Sequence, residues 1–205
     1  MLLLGLTVFG FGFGLQVQAG LGLAPWQAMH QGIAIHTPLS IGIAGVLTGV
    51  VVLVLWIPLR QRPGIATITN VIVVGLVIDL TLLLVDEATT TALQWLYLVG
   101  SIVIIGLGSG VYLGVRLGPG PRDGLMTGLA ERGVSIRLAR FGIEGAVLLI
   151  GWLLGGTIGI GTVAFAVFIG PPVQFFLERF DQGDLDSIRN EDARPAGWPP
   201  LRRRS

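Results

Sequence analysis

The sequence predicts an all-α polytopic membrane protein: six transmembrane helices plus two short helices, in two inverted-topology repeats of three spans each. Three observations carry this. Hydrophobic residues make up 52% of the 205 residues and charged residues 12%, with a mean hydropathy of +0.80, whereas a soluble domain carries about 25% charge. Apolar runs of about 20 residues, the length a helix needs to cross the hydrocarbon core, recur along the chain. The chain also repeats itself. Leu21-Gly22, Pro25 and Gly32 return 96 residues later as Leu117-Gly118, Pro121 and Gly128. Gly64-Ile65-Ala66-Thr67 and Gly75 return 95 residues later as Gly159-Ile160-Gly161-Thr162 and Gly170. An odd number of spans per copy turns the second copy upside down, a build common among transporters.

The first span covers 2–22 and has neither a basic leader nor a small-x-small cleavage site, so it reads as a span rather than a signal peptide. A short helix over 25–36 follows, opening at Pro25, where a missing N–H costs no hydrogen bond. Spans two and three cover 39–58 and 65–85, and spans four, five and six cover 93–115, 136–154 and 159–178. A second short helix, 121–132, opens at Pro121. Both short helices are too short and too polar to cross. The membrane domain is 1–180, divided into repeats of about 1–90 and 92–180, and 181–205 is expected to be a disordered cytoplasmic tail.

Arginine sets the orientation. The 13 basic residues are all Arg. They follow span two (Arg60, Arg62), crowd between spans four and five (Arg116, Arg122, Arg132, Arg137, Arg140), and follow span six. The other connections carry none, so the basic side is cytoplasmic, both termini are inside, and the chain belongs in a bacterial inner membrane. Pro25 then lies at an outer mouth and Pro121 at an inner one.

Five groups of residues are candidates for chemistry. Pro25, Trp26 and Gln27, with Pro121, Arg122 and Asp123, form paired helix starts whose free N–H groups attract anions or polar substrate groups; the alternative is an interfacial cap. Asp79 and Glu144 are charges inside spans, which cost about 2.5–3.5 kcal/mol at the centre and so face a cavity or a partner. Glu144 shares a helix face with Arg140 and Arg137, as a proton or amine site or as a structural pair. Asp79 and its repeat counterpart Gln174 read as a substrate site or as a helix-to-helix hydrogen-bonding position. Asn70, Gln16 and Gln18 read as interhelical hydrogen bonders or substrate contacts. His30 and His36 are six apart, poor spacing for a shared metal; exposed interfacial His is the leading expectation, with His30 able to join Gln27 at the mouth. Small-xxx-small steps at Gly10/Gly14, Gly45/Gly49 and Gly106/Gly110/Gly114 predict close helix packing. Cys is absent, which excludes disulfides and thiol chemistry. No catalytic residues, metal ligands or cofactor are expected.

Pro25-Trp26, Pro63-Gly64-Ile65-Ala66-Thr67 with Asn70, Gly118-Pro119-Gly120-Pro121-Arg122-Asp123-Gly124, Gly159-Ile160-Gly161-Thr162 and Gly170-Pro171 together resemble the YczE/YyaS/YitT-type bacterial integral membrane proteins. The resemblance covers about 5–178 and departs from the family mildly at Ala66, where Gly is commoner. It implies a multi-pass inner-membrane protein and brings no catalytic residues with it.

The expected function is a small-molecule permease or exporter working by alternating access between the Pro25 and Pro121 mouths, which act as gates or half-sites, with Glu144 for charge recognition or proton coupling and Arg122 and Asp123 as the inner gate. The alternative is a substrate-capturing or partner-binding membrane subunit. Its partners are the lipid bilayer, an unknown small-molecule substrate, and a membrane protein or a second copy of itself; nucleic acid is not expected.

Overall fold

The computed structural model describes residues 1–180; the expected tail lies outside the described residues. Nine helices and no strand occur among them: α1 (Leu2–Ala19), α2 (Pro25–His36), α3 (Ile41–Leu59), α4 (Ile65–Leu84), α5 (Thr91–Gly114), α6 (Pro121–Ala130), α7 (Ile136–Leu153), α8 (Ile160–Phe168) and α9 (Gly170–Phe180). Local chemistry fixes the starts. Pro25 and Pro121 open α2 and α6. Ser40 Oγ accepts from Ile43 N–H and Ser135 Oγ from Leu138 N–H, both at 3.2 Å. Thr67 and Thr162 accept from the N–H of Gly64 and Gly159, at 3.2 and 3.3 Å.

Five segments are long and apolar enough to cross a bilayer: α1, α3, α4, α5 and the 21 residues Ile160–Phe180. The expectation of six needs two amendments. The last span is broken into α8 and α9, because Gly170 is followed by Pro171 and Pro172, which lack the N–H that would continue the ladder. The fifth expected span, α7, has 18 residues like α1 but carries Arg137, Arg140 and Glu144, and so stands outside the apolar set.

Packing follows the repeat. α1 and α5 run antiparallel through the centre: Gly5 faces Tyr112, Gly12 faces Ile105 and Gly108 faces Phe9. Gly10 and Gly14 pack on Val77 and Thr81 of α4, while Gly106 and Gly110 pack on Pro172 and Phe176 of α9, each residue matching its counterpart one repeat on. The expected small-residue faces are thus helix contacts, where the missing side chain lets backbones approach. The repeated motifs also interlock across the halves. The Gly161 N–H donates to Leu21 O at 2.8 Å, and the Ala66 N–H to Leu117 O at 3.3 Å. Gly22 and Gly118 have φ of 119° and 132°, which favours glycine, and each lies against the Gly-x-x-Thr start of the other half.

The buried core is built from Leu6, Phe13, Ile105 and Ile78 around α1, α4 and α5, with a second cluster of Trp26, Val52, Trp56 and Leu125. The outer surface is apolar as well: Leu83 is 82% and Ile57 74% exposed. Such a belt is stable only against lipid.

Candidate functional site

The two short helices point their N-termini at one place. The Arg122 guanidinium lies over the Trp26 ring, 5.0 Å from its centroid, and 5.7 Å from that of Phe13, distances suited to cation–π attraction. The expectation of two separate mouths is therefore corrected: the Pro25 and Pro121 helix starts meet inside the bundle. Hydropathy along the chain cannot register this, because it reads polarity and not where a short helix is carried by its neighbours.

Specific contacts hold the tips. Trp56 of α3 donates its indole N–H to Pro121 O at 3.0 Å. A β-carbon at position 124 would stand 1.9 Å from the Trp56 ring, so Gly124 makes room for it. The two helix starts are capped differently. In the second half Asp123 accepts from the Gly120 backbone. In the first half the Ala24 N–H donates instead to Gln16 Oε1 of α1, at 3.3 Å. Gln27, the counterpart of Asp123, is thereby left over: it is fully buried and neither end of its amide has a partner. His30, one turn further along α2, is 5% exposed, and neither ring nitrogen is bonded. Burial, with the nearby Arg122 charge, pushes its pKa down to about 3, so its imidazole is neutral. The Trp26 indole N–H is likewise buried and unpartnered. Buried polar groups are nearly always satisfied, so these unpartnered atoms mark the cluster as the candidate site.

These groups line a cavity of about 630 Å³, within the range of small-molecule sites. Pro25, Trp26, Gln27, His30, Asn70, Pro121, Arg122, Asp123, Arg140 and Glu144 all reach it, with Phe9, Phe13, Val71 and Ile105 as apolar walls. Arg140 and Glu144 pair with each other at 3.2 Å, the structural half of their expected role, while still bordering the cavity.

Four candidates, Asp79, Gln174, His36 and Gln18, do not belong to this site. Asp79 is a helix-to-helix clamp: its carboxylate accepts from Ser40 Oγ at 2.5 Å and from Gly42 N–H at 2.7 Å, closing the start of α3. Its counterpart Gln174 does not repeat that role; it is exposed on α9 and donates to Glu178 at 3.2 Å. His36 is exposed as expected, whereas His30 is not. Gln18 donates to the Val85 carbonyl and ties α1 to the end of α4. Tyr112 and Ser109 also line the cavity and were not among the candidates. A usable clue existed for Tyr112: it is the repeat counterpart of Gln16, so one position in each central span carries a polar group.

Comparison with known proteins agrees with the expected resemblance. The family model described as "Family of unknown function (DUF6198)" matches residues 1–178. An uncharacterized protein of Haemophilus influenzae is 42% identical over 178 residues, 86% of this chain and 82% of that protein. The uncharacterized membrane protein YczE of Bacillus subtilis is 31% identical over 96% of this chain and 93% of its own, and the uncharacterized protein YyaS of the same organism 28% over 91% and 95%. No solved structure matches significantly. With its apolar helices, the chain is a multi-pass membrane protein.

Proposed function

The chain belongs to the DUF6198 family of unknown function, and on that premise we propose that it is a small-molecule permease or exporter of the bacterial inner membrane. The observation that carries this reading is the convergence of two helix N-termini on one internal cavity that holds Arg122, Asp123, Arg140 and Glu144 beside the unpartnered Gln27 and His30. Helix starts meeting in the middle of a bundle, at the junction of two repeats, are where secondary transporters bind their cargo.

In this reading α7 is the fifth of six spans, its charges tolerated because they border the cavity. The two halves have inverted topology, supported by the antiparallel α1–α5 contact and by the Arg-bearing connections falling on one side. Both termini are cytoplasmic. The helix tips are the central site rather than two gates, and alternating access exposes that site to one side and then the other. No catalysis is part of the reading.

Reconstitution of the full-length chain into proteoliposomes loaded with a small-molecule extract tests it. Mass spectrometry is expected to find a small set of solutes crossing with the wild-type protein, with Arg122→Gln and Glu144→Gln slowing them at least about tenfold. Identical flux with wild-type protein and with protein-free vesicles would sink the transport reading.

A further inference from the structure

The repeat breaks at one seam. In the first half α3 lies along α4. Gly42 and Gly75 touch through their backbones, Val46 packs on Gly75, and Gly49 packs on Val71. The counterparts in the second half are Arg137, Gly170, Phe141, Glu144 and Ala166. There α7 does not pack along α8 or α9 as α3 packs along α4. Gly170, unlike Gly75, meets nothing within 4 Å. Phe141 and Val167 line the cavity from either side of this seam, yet are 78% and 62% exposed on the flank of the bundle. The cavity therefore opens sideways, beside the first half of α7, onto the surface that the apolar belt assigns to lipid.

The chemistry inside is rich in donors. The two carboxylates are engaged, Asp123 by the Gly120 backbone and Glu144 by Arg140. Arg122 rests on the Trp26 and Phe13 rings, its guanidinium outside hydrogen-bond contact among the described residues but within the electrostatic reach of Asp123 and Glu144. The Trp26 indole N–H, the Gln27 amide and His30 are unpartnered beside it. Two helix starts, each the positive end of its dipole, face the same space.

We propose that the seam between α7 and α8–α9 is a lateral portal from the bilayer, and that the cavity takes an amphiphile with an anionic headgroup. The head is held by Arg122, Gln27 and His30, and the alkyl chain leaves between Phe141 and Val167. This rests on reading the cavity as the binding site of the transporter, and it narrows the substrate to a class.

The test uses the full-length protein in phosphatidylcholine nanodiscs. The absence of native Cys allows a single bimane label at Ala166→Cys on the cavity wall. Dodecyl phosphate is expected to change the emission saturably, and Arg122→Gln to weaken it at least about tenfold, with Arg122→Lys recovering part of the loss. Gln27→Leu gives the same direction if Arg122→Gln fails to fold. Dodecyltrimethylammonium and butyl phosphate bind at least about tenfold more weakly than dodecyl phosphate. Lipids brominated along their chains quench the label, and Gly170→Phe, which fills empty space, reduces that quenching and slows arrival of dodecyl phosphate about tenfold.

Butyl phosphate binding as tightly as dodecyl phosphate, equal binding of the cation, or quenching by aqueous iodide and not by brominated lipid would each overturn the proposal. So would cross-linking of two copies through Gly170→Cys with the label shielded from lipid, because a second chain would then cover the seam. Dodecyl phosphate binding without any flux in proteoliposomes leaves the portal standing and removes the transport reading. Flux of hydrophilic solutes without dodecyl phosphate binding does the reverse.

Discussion

The two halves of the molecule use one plan and close it differently. In the first half the face of α3 toward α4 is Gly42, Val46 and Gly49, with Gly75 opposite, and the helices seal. In the second half the same positions are Arg137, Phe141, Glu144 and Gly170, and α7 stands away. A glycine face lets backbones touch, which is the main source of helix adhesion where lipid removes the hydrophobic drive. An arginine or glutamate cannot lie against another helix's backbone without losing solvation, so it holds the seam apart. Three changes of residue on one helix face thus turn a packing surface into the wall of a cavity, and they concentrate charge in the half where the cavity opens.

Substitutions at matched positions sharpen or break that contrast. Gly42→Leu should be the most damaging: a β-carbon there would lie 2.0 Å from Gly75 O. Overpacking of this kind costs about 3 kcal/mol or more, whereas Arg137→Leu at the matched position should change stability by less than about 0.5 kcal/mol. Denaturant unfolding in detergent micelles measures both, and equal losses would contradict the open seam. Asp79→Ala should cost about 1–2 kcal/mol by removing the cap of α3, against less than about 0.5 kcal/mol for Gln174→Ala; the same unfolding curves decide. Arg60→Gly should stabilise by about 1 kcal/mol, because residue 60 has φ 56°. Its counterpart Gly155, at φ 81°, should lose a similar amount as Gly155→Ala. Gly142→Ala and Gly145→Ala should each raise stability by about 0.5 kcal/mol, since a β-carbon at either meets nothing within 4 Å; a loss would mean that this face of α7 packs on something.

Much of this was readable before any coordinates. The short helix over 25–36 is reproduced as Pro25–His36, and spans one to five end within about three residues of their helices, because Pro starts and long apolar runs are local information. The repeat motifs were legible as matches; their mechanical meaning was not. That Leu21 pairs with Gly161 and Leu117 with Ala66 requires two distant segments to meet, and no periodicity along the chain encodes it. The site divided in the same way. Charge inside apolar spans pointed to Glu144 and Arg140, and the Pro turns pointed to Arg122 and Asp123. The burial of His30 was missed because polarity at a short helix reads as surface. Asp79 was left with two readings for a related reason, and the helix-to-helix one is what the structure shows: a carboxylate that caps a neighbouring helix has the same sequence appearance as one that waits for a ligand.

Arg60 and Arg116 both sit in left-handed backbone, at φ 56° and 57°, where their counterparts Gly155 and Gly20 have no such difficulty. Folding alone would choose glycine at all four helix ends. A membrane chain must also be threaded before it folds, and during threading an arginine at the end of a hydrophobic run decides which way that run comes to rest. In the proposed topology, which puts both arginines on the cytoplasmic side, these two residues would serve the nascent chain at the expense of the finished one. The small local strain would then be a trace of how the chain was inserted.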